Sequence, residues 1–407
     1  MADQVLQLDK IAAPDDLPEV MPVFFSWNYI PRLPSFINAQ EWTFELPIDA
    51  NRDAVDPSWR NSFPINPKAA SLPYHTGLTF ARHNRFWRSA LGYAAELCEL
   101  LATDQSYNNT NLTRGGTLAS IGQRELKKPE GERFVTFAIN LFPQADEERM
   151  QLIAAGILFV VTFDDSWEEA PSESLQNVQS DFVARLRGEA SSTSTTGSPS
   201  NARTPLQTRI DEIVSRCHAC DARTGTTCGA DFITALIEWV QHPPPAPANF
   251  ATPRAYLDYR WDDAANAWLV AACRLSIASP IPMGEARLAR LVRLVGDHVS
   301  IVNDLGSFDK EWAAYEGGRT VVLINLVQVL RESCGLGVDD AKAAAFVLQL
   351  LNEREIREEL ERLKRDEELG VEHWRFVDSL LALIAGNTFY TMTTSRYGGE
   401  AARIKKD

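Results

Sequence analysis

The sequence predicts an all-α protein, and three observations carry that prediction. Strong helix formers dominate the second half, as in residues 341–369, AKAAAFVLQLLNEREIREELERLKRDEEL, where an apolar stripe turns into a charged one. Residues 152–163, LIAAGILFVVTF, are apolar on every face and predict a buried helix. No alternating strand pattern of useful length competes with these runs. At 407 residues the chain exceeds a typical single core, but no second compositional regime appears. The expected organisation is one helical domain over residues 81–407 with an extension over residues 1–80.

Taken in order, the extension is rich in proline and aromatics (Trp27, Tyr29, Pro31, Pro34, Trp42, Trp59, Pro64, Pro67, Pro73), which predicts an irregular strap over the helices, with a partly ordered extension as the alternative. The buried helix at 152–163 runs straight into Asp164-Asp165-Ser166-Trp167-Glu168. Residues 188–205 contain Ser-Ser-Thr-Ser-Thr-Thr-Gly-Ser-Pro-Ser, which has too little apolar surface to pack and reads as a mobile loop. Gln241-His-Pro-Pro-Pro-Ala-Pro is a stiff connector, after which a helix is expected at Thr252-Pro253-Arg254, with threonine as the cap and proline in the first turn. Residues 288–302 are amphipathic, so their burial is a weaker inference, and they lead into Asn303-Asp304-Leu305-Gly306-Ser307-Phe308-Asp309-Lys310-Glu311.

These two clusters carry the chemistry. At 3.6 residues per turn Asp164 and Glu168 share a face, as do Asn303, Ser307 and Glu311, so each cluster points several hard oxygens one way. Magnesium takes such ligands, and phosphate oxygens of a substrate commonly complete its shell. An acidic pair at a helix end is otherwise an ordinary solvated surface. Here the preceding run is apolar all round, and a carboxylate closing a buried helix needs a cation beside it.

Asp164-Asp165-x-x-Glu168 resembles the aspartate-rich motif of the class I terpene synthases, and Asn303-x-x-x-Ser307-x-x-x-Glu311 resembles their second magnesium motif, including Lys310 at a position that contacts diphosphate. Arg260, in Tyr256-Leu-Asp-Tyr-Arg260-Trp-Asp-Asp263-Ala264, is similar to the family's diphosphate sensor, followed by its linker Asp263 and effector Ala264. Arg396-Tyr397 resembles a pair that reaches the same diphosphate. The resemblance spans roughly Phe134 to Tyr397 and departs from the pattern at two places: Glu168 replaces a commoner aspartate, and Ala264 stands where glycine is frequent. It implies an α-bundle around a central cavity, with an N-terminal segment capping the mouth. It also implies three magnesium ions on Asp164, Asp165, Glu168, Asn303, Ser307 and Glu311, and diphosphate on Arg260, Lys310, Arg396 and Tyr397.

The activity so implied is lyase-type ionisation and cyclisation of an acyclic prenyl diphosphate. Farnesyl diphosphate, giving a cyclic sesquiterpene hydrocarbon or alcohol, is the first expectation, and geranylgeranyl diphosphate the alternative. Chain elongation is disfavoured because the second motif is of the Asn/Ser/Glu type, and a non-enzymatic metal-binding helical scaffold ranks last. Ile157, Val160 and Val161 sit on Asp164's face one and two turns deeper, as pocket floor, with Phe389 and Tyr390 as candidate walls and Trp167 and Trp261 nearer the metals. Each such aromatic is more often ordinary core, with Trp167 and Trp261 the more ambiguous pair.

A net charge of -15 argues against a nucleic-acid partner. The N-terminus lacks a basic segment followed by an apolar core, and no run approaches the about twenty apolar residues of a membrane span, so a cytoplasmic protein, monomeric or homodimeric, is expected. The six cysteines fit a reducing compartment, and Cys217-His218-Ala219-Cys220 with Cys228 lacks the second pair of a zinc module. The sequon at Asn111 carries no meaning without secretion.

Overall fold

The computed structural model describes residues 20–30, 46, 56–105, 117–167, 173–189, 203–242, 250–318, 320 and 322–404; side chains at 165–167, 173 and 174 fall outside the description. Glu168, the side chains of Asp165 and Trp167, the sequon, most of the expected loop at 188–205 and the proline connector at 243–249 thus lie outside the described residues.

The N-terminal strap is built on buried aromatics. Residues 20–30 are irregular apart from an isolated bridge between Trp27 and Arg403, with Phe25, Trp27 and Tyr29 buried. Trp27 donates its backbone N–H to the Met392 carbonyl at 3.0 Å and its indole N–H to the Thr391 carbonyl at 2.7 Å. Strands β1 (Ser62–Ile65) and β2 (Ala81–Asn84) follow, antiparallel, with Ser62 opposite Asn84 and Ile65 opposite Ala81. This two-stranded pair joins the expected extension to the expected domain across residue 81. Four-residue strands are too short to give a readable alternation, which is why the sequence does not announce them.

The rest is helical: α1 (Trp87–Thr103), α2 (Leu118–Lys127), α3 (Val135–Leu141), α4 (Glu147–Trp167), α5 (Glu173–Leu186), α6 (Pro205–Thr224), α7 (Cys228–Val240), α8 (Pro253–Asp263), α9 (Asn266–Ile277), α10 (Ala289–Glu316), α11 (Leu326–Cys334), α12 (Val338–Leu363), α13 (Val371–Thr393) and the single turn α14 (Ser395–Gly398). Helix α4 contains the uniformly apolar run. Leu152 to Phe159 are buried, and only Val160 and Val161 are half-exposed, because they face a cavity. Thr252 caps α8 by accepting the Ala255 N–H at 3.1 Å, with Pro253 in the first turn, as the sequence predicts. Helix α12 ends at Leu363, short of the periodic run's end at residue 369.

Helix α10 is more buried than its amphipathic pattern suggests: every residue from Leu294 to Val302 is inside. Its polar members survive burial because each has a partner. Asp297 accepts from Arg254 at 2.9 Å, Ser300 from Asn266 at 3.0 Å, and His298 meets Glu353 of α12 at 3.0 Å. Burial alone would raise the Glu353 carboxyl, but hydrogen bonds from His298, Gln349 and the Gly77 N–H hold it below its ordinary value. That network ties α10 and α12 to the segment between the two strands. Helix α10 also packs along α13, and Gly306 permits it: a Cβ there would collide with Thr391 and press on Tyr397.

Candidate active site

Helices α4, α8, α9, α10 and α13 leave a cavity between them that has two lobes. The polar lobe, about 1030 Å³ including its open mouth, is lined by Asp164, Arg260, Asp263, Asn303, Ser307, Lys310, Glu311, Arg396 and Tyr397 together with residues of the segment leading to α11. The apolar lobe, about 760 Å³, is walled by Phe134, Phe137, Ile157, Val160, Val161, Trp268, Leu269, Val299 and Tyr390. Asp164, Arg260, Asp263, Asn303, Arg396 and Tyr397 line both, so the lobes meet at the charged residues. Every described site residue that the sequence nominates therefore borders one chamber.

The wall residues divide. Ile157, Val160, Val161 and Tyr390 line the apolar lobe, whereas Phe389 is buried in the core and Trp261 lies over Gly296 and under the Arg293 guanidinium. The reason is helical phase: on α13 the cavity face repeats as Asn387 and Tyr390, three positions apart, and Phe389 points elsewhere. Asp309, though inside the acidic cluster, is exposed on the outer side of α10 and paired with Lys342 at 2.7 Å.

Arg260 is the most constrained charge in the site. Its Nη2 donates to Asp304 Oδ1 at 2.9 Å and to Asn303 Oδ1 at 3.3 Å, its Nε to Asp304 at 3.2 Å, and its Nη1 to Asp263. Burial by itself would pull the guanidinium down, but Asp304, Tyr256, Asp263 and Glu311 more than offset it and hold it well above its ordinary value. Asp304 is fully buried, and burial pushes its carboxyl up to about 6 even with Arg260 beside it. It accepts further bonds from the Tyr256 hydroxyl and, at 2.9 Å, from the Leu326 N–H. Asn325 donates to the Asp304 carbonyl at 2.9 Å and to Glu311 Oε2 at 3.0 Å.

Asp304, Tyr256 and Asn325 hold the charged residues of the cavity in place, and the sequence does not single them out. Asp304 adjoins Asn303 and was open to notice; Asn325 shows in sequence only as the cap of α11, and its partners are set by tertiary packing.

The break between α8 and α9 brings backbone into the cavity. Ala265 adopts φ +56°, a left-handed conformation strained for a side-chain-bearing residue. Three side chains hold the break: Trp239 donates to the Asp263 carbonyl at 3.1 Å, Asn266 to the Arg260 carbonyl at 3.3 Å, and Tyr259 to Asp263 Oδ1 at 3.0 Å. Ala264 lines the apolar lobe, and among the described residues no donor reaches its carbonyl oxygen.

Tyr397 supplies a neutral donor. Burial, with Tyr390 beside it, pushes its phenol up, so the hydroxyl keeps its proton. The oxygen accepts from Asn303 Nδ2 at 2.8 Å, which leaves the hydrogen available for a ligand.

The oxygens present suit a hard divalent cation. Asn303, Ser307 and Glu311 follow one another along α10 on the cavity face, and the Ser307 hydroxyl is buried without a hydrogen-bond partner among the described residues. A buried hydroxyl left unpaired costs about 1–3 kcal/mol, so an electropositive partner at that position offsets a penalty already built in. Asp164 faces this row from α4.

Comparison with known proteins agrees. Residues 156–356 match the family described as terpene synthase family 2, C-terminal metal binding. Terpene cyclase 6 of Gibberella fujikuroi is 25% identical over 351 residues, 84% of this chain and 86% of that protein, and terpene cyclase aneC of Aspergillus aculeatus is 24% identical over 88% and 78% respectively. In fold, the chain resembles aristolochene synthase from Penicillium roqueforti with a TM-score of 0.56 at 17% identity, covering 75% of this chain and 95% of that one. Germacradien-4-ol synthase from Streptomyces citricolor gives 0.52 at 16% identity, covering 76% and 96%. With its helical architecture, its opposed oxygen-bearing faces and these relatives, the chain has the fold of the class I terpene synthases and resembles that family across its metal-binding region.

Proposed function

We propose that the protein is a magnesium-dependent cyclase that ionises farnesyl diphosphate and closes the chain to a cyclic sesquiterpene hydrocarbon or alcohol, releasing diphosphate. The observation that carries this reading is the two-lobed cavity: one lobe is charged, the other apolar, and they share Asp164, Arg260 and Asn303 at the junction. A prenyl diphosphate has the same division, with the bond to be broken at its boundary. Relatives named as terpene cyclases support the cyclising outcome. Farnesyl diphosphate is preferred because a single helical domain of this family more often makes fifteen-carbon products. The segment before residue 81 is read as an extension of that one catalytic domain.

Asp164, Asp165, Glu168, Asn303, Ser307 and Glu311 would hold the metal, with three ions expected from the family. Bound divalent ions supply positive charge against the oxygens of the leaving diphosphate. The chain adds Arg260, Lys310 and Arg396 as cationic partners and the Tyr397 hydroxyl as a neutral donor, all aimed at charge that grows as the bond breaks. Arg260 arrives preorganised, since Asp304 and Asp263 fix its plane before substrate enters. In the other lobe Ile157, Val160, Val161 and Leu269 fold the chain and exclude bulk water, and the rings of Phe134, Phe137 and Tyr390 offer π-faces to the cation.

Incubation of purified protein with magnesium and farnesyl, geranylgeranyl or geranyl diphosphate, followed by gas chromatography with mass detection, tests the reading. A cyclic product from farnesyl diphosphate is expected. A cyclic product only from geranylgeranyl diphosphate would move the substrate assignment by one isoprene unit. A longer prenyl diphosphate, or no turnover, contradicts the proposal.

A further inference from the structure

The apolar lobe carries two polar atoms that a chamber built for hydrocarbon alone does not need. Trp268 and Asn387, 0% and 1% exposed, both line it. Trp268 Nε1 and Asn387 Oδ1 each lack a hydrogen-bond partner among the described residues. The Asn387 amide nitrogen donates to the Val299 carbonyl at 3.3 Å, which leaves the oxygen as the unsatisfied end. An indole N–H only donates and an amide oxygen only accepts, so the two together complement a water molecule or a hydroxyl group. A leucine and a phenylalanine in their places would avoid the roughly 1–3 kcal/mol that each unsatisfied buried atom costs. Val299 lies one turn before Asn303 on α10, about 6 Å along the helix axis, so Asn387 meets α10 one turn from the first oxygen of the Asn303–Ser307–Glu311 row.

We propose that Trp268 and Asn387 seat one water in the chain-binding lobe and that this water quenches the final cation, making the product a terpene alcohol. The inference rests on the prenyl diphosphate reading above and adds the class of product. A lone pair of the water oxygen forms a C–O bond to the cationic carbon. The resulting oxonium then loses a proton to an oxygen of the diphosphate, the base that ionisation has already released into the adjoining lobe. Alcohol and protonated diphosphate are the products, and nothing is oxidised or reduced. Neither amide nor indole titrates near neutrality, so the pair holds the water without deprotonating it early. Val160, Val161, Leu269 and Val299 supply apolar wall to the same lobe.

The test is turnover of farnesyl and geranylgeranyl diphosphates by the full-length protein in ¹⁸O-enriched water. Products are read by gas chromatography with mass detection and diphosphate release is followed in parallel. The wild-type product is expected to gain one ¹⁸O atom. Among the products that Asn387→Leu forms, the alcohol-to-hydrocarbon ratio should fall by about tenfold or more. Trp268→Phe, which keeps a ring and deletes the N–H, should shift it the same way. Diphosphate release with an ¹⁸O-free wild-type product overturns this inference alone, as does an unchanged ratio in both variants. No diphosphate release from either substrate overturns the proposed function and this inference with it.

Discussion

Asp304, outside the Asn303–Ser307–Glu311 row, is the residue that holds the Arg260 guanidinium in the cavity wall. It has no exposure, it grips Arg260 through two nitrogens, and it receives Tyr256 and the Leu326 N–H besides. Asp304→Asn keeps the shape and the acceptor oxygen but removes the charge that holds the guanidinium in plane. Steady-state kinetics should show kcat down by about a hundredfold with helicity intact, the scale of losing a well-oriented electrostatic contact. Unchanged kcat would make Asp304 merely structural. Arg260→Lys should fall at least about tenfold by the same assay, because a single ammonium cannot hold Asp263, Asp304 and a diphosphate together. At this scale the sequence was most legible where chemistry demands a fixed spacing: Asp164, Arg260, Asn303, Ser307, Glu311, Arg396 and Tyr397 all border the cavity. It was least legible for Asp304, Asn325, Trp268 and Asn387, whose roles depend on what lies opposite them.

Among elements, the described part of the N-terminal segment, residues 20–30, has a partner that the sequence does not announce. Proline and aromatic density announces an irregular segment, but only the fold reveals that Trp27 hydrogen-bonds the last turn of α13, just before Arg396 and Tyr397. Gly398 lies directly beneath the Trp27 ring, and Arg403 bridges back to Trp27 and Phe24. Trp27→Ala opens a cavity at that joint and should lower the unfolding free energy in chemical denaturation by about 3–5 kcal/mol. A loss below about 1 kcal/mol would mean the strap is only loosely attached. Helices were legible by period and capping, as α4 and α8 show. The burial of α10 was hidden because its inward polar residues, Asp297, His298 and Ser300, read as a solvated face until their partners on other elements are known.

At the scale of the whole molecule, stability carries a pH signature that belongs to the strand pair. His83 of β2 is buried, and burial pushes its imidazole down to about 4 despite the contact of its Nδ1 with Asn140 Oδ1 at 2.9 Å. Its Nε2 has no partner among the described residues, so a proton there would be buried unpaired. The unfolded chain takes up that proton near 6.5 and the folded one only near 4, so this contribution is complete above about 6.5 and is lost as pH falls toward 4. A depression of this size corresponds to roughly 3 kcal/mol at its limit. His83→Gln should flatten the fall in Tm across that window; an unaltered slope would assign the acid sensitivity elsewhere. Among the described residues no helix is long and apolar enough to cross a membrane.

On the function proposed above, the Asn303–Ser307–Glu311 row and Asp164 grip divalent cations that draw diphosphate off a prenyl chain. The most direct test of this is the rate of diphosphate release from farnesyl and geranylgeranyl diphosphates as magnesium is titrated into chelator-treated protein, for the wild type, Asp164→Ala and Asn303→Ala. No release is expected without metal, with full recovery on adding magnesium to the wild type and no recovery in either variant while circular dichroism stays helical. Release that persists in chelator, or variants that respond to magnesium as the wild type does, would contradict it.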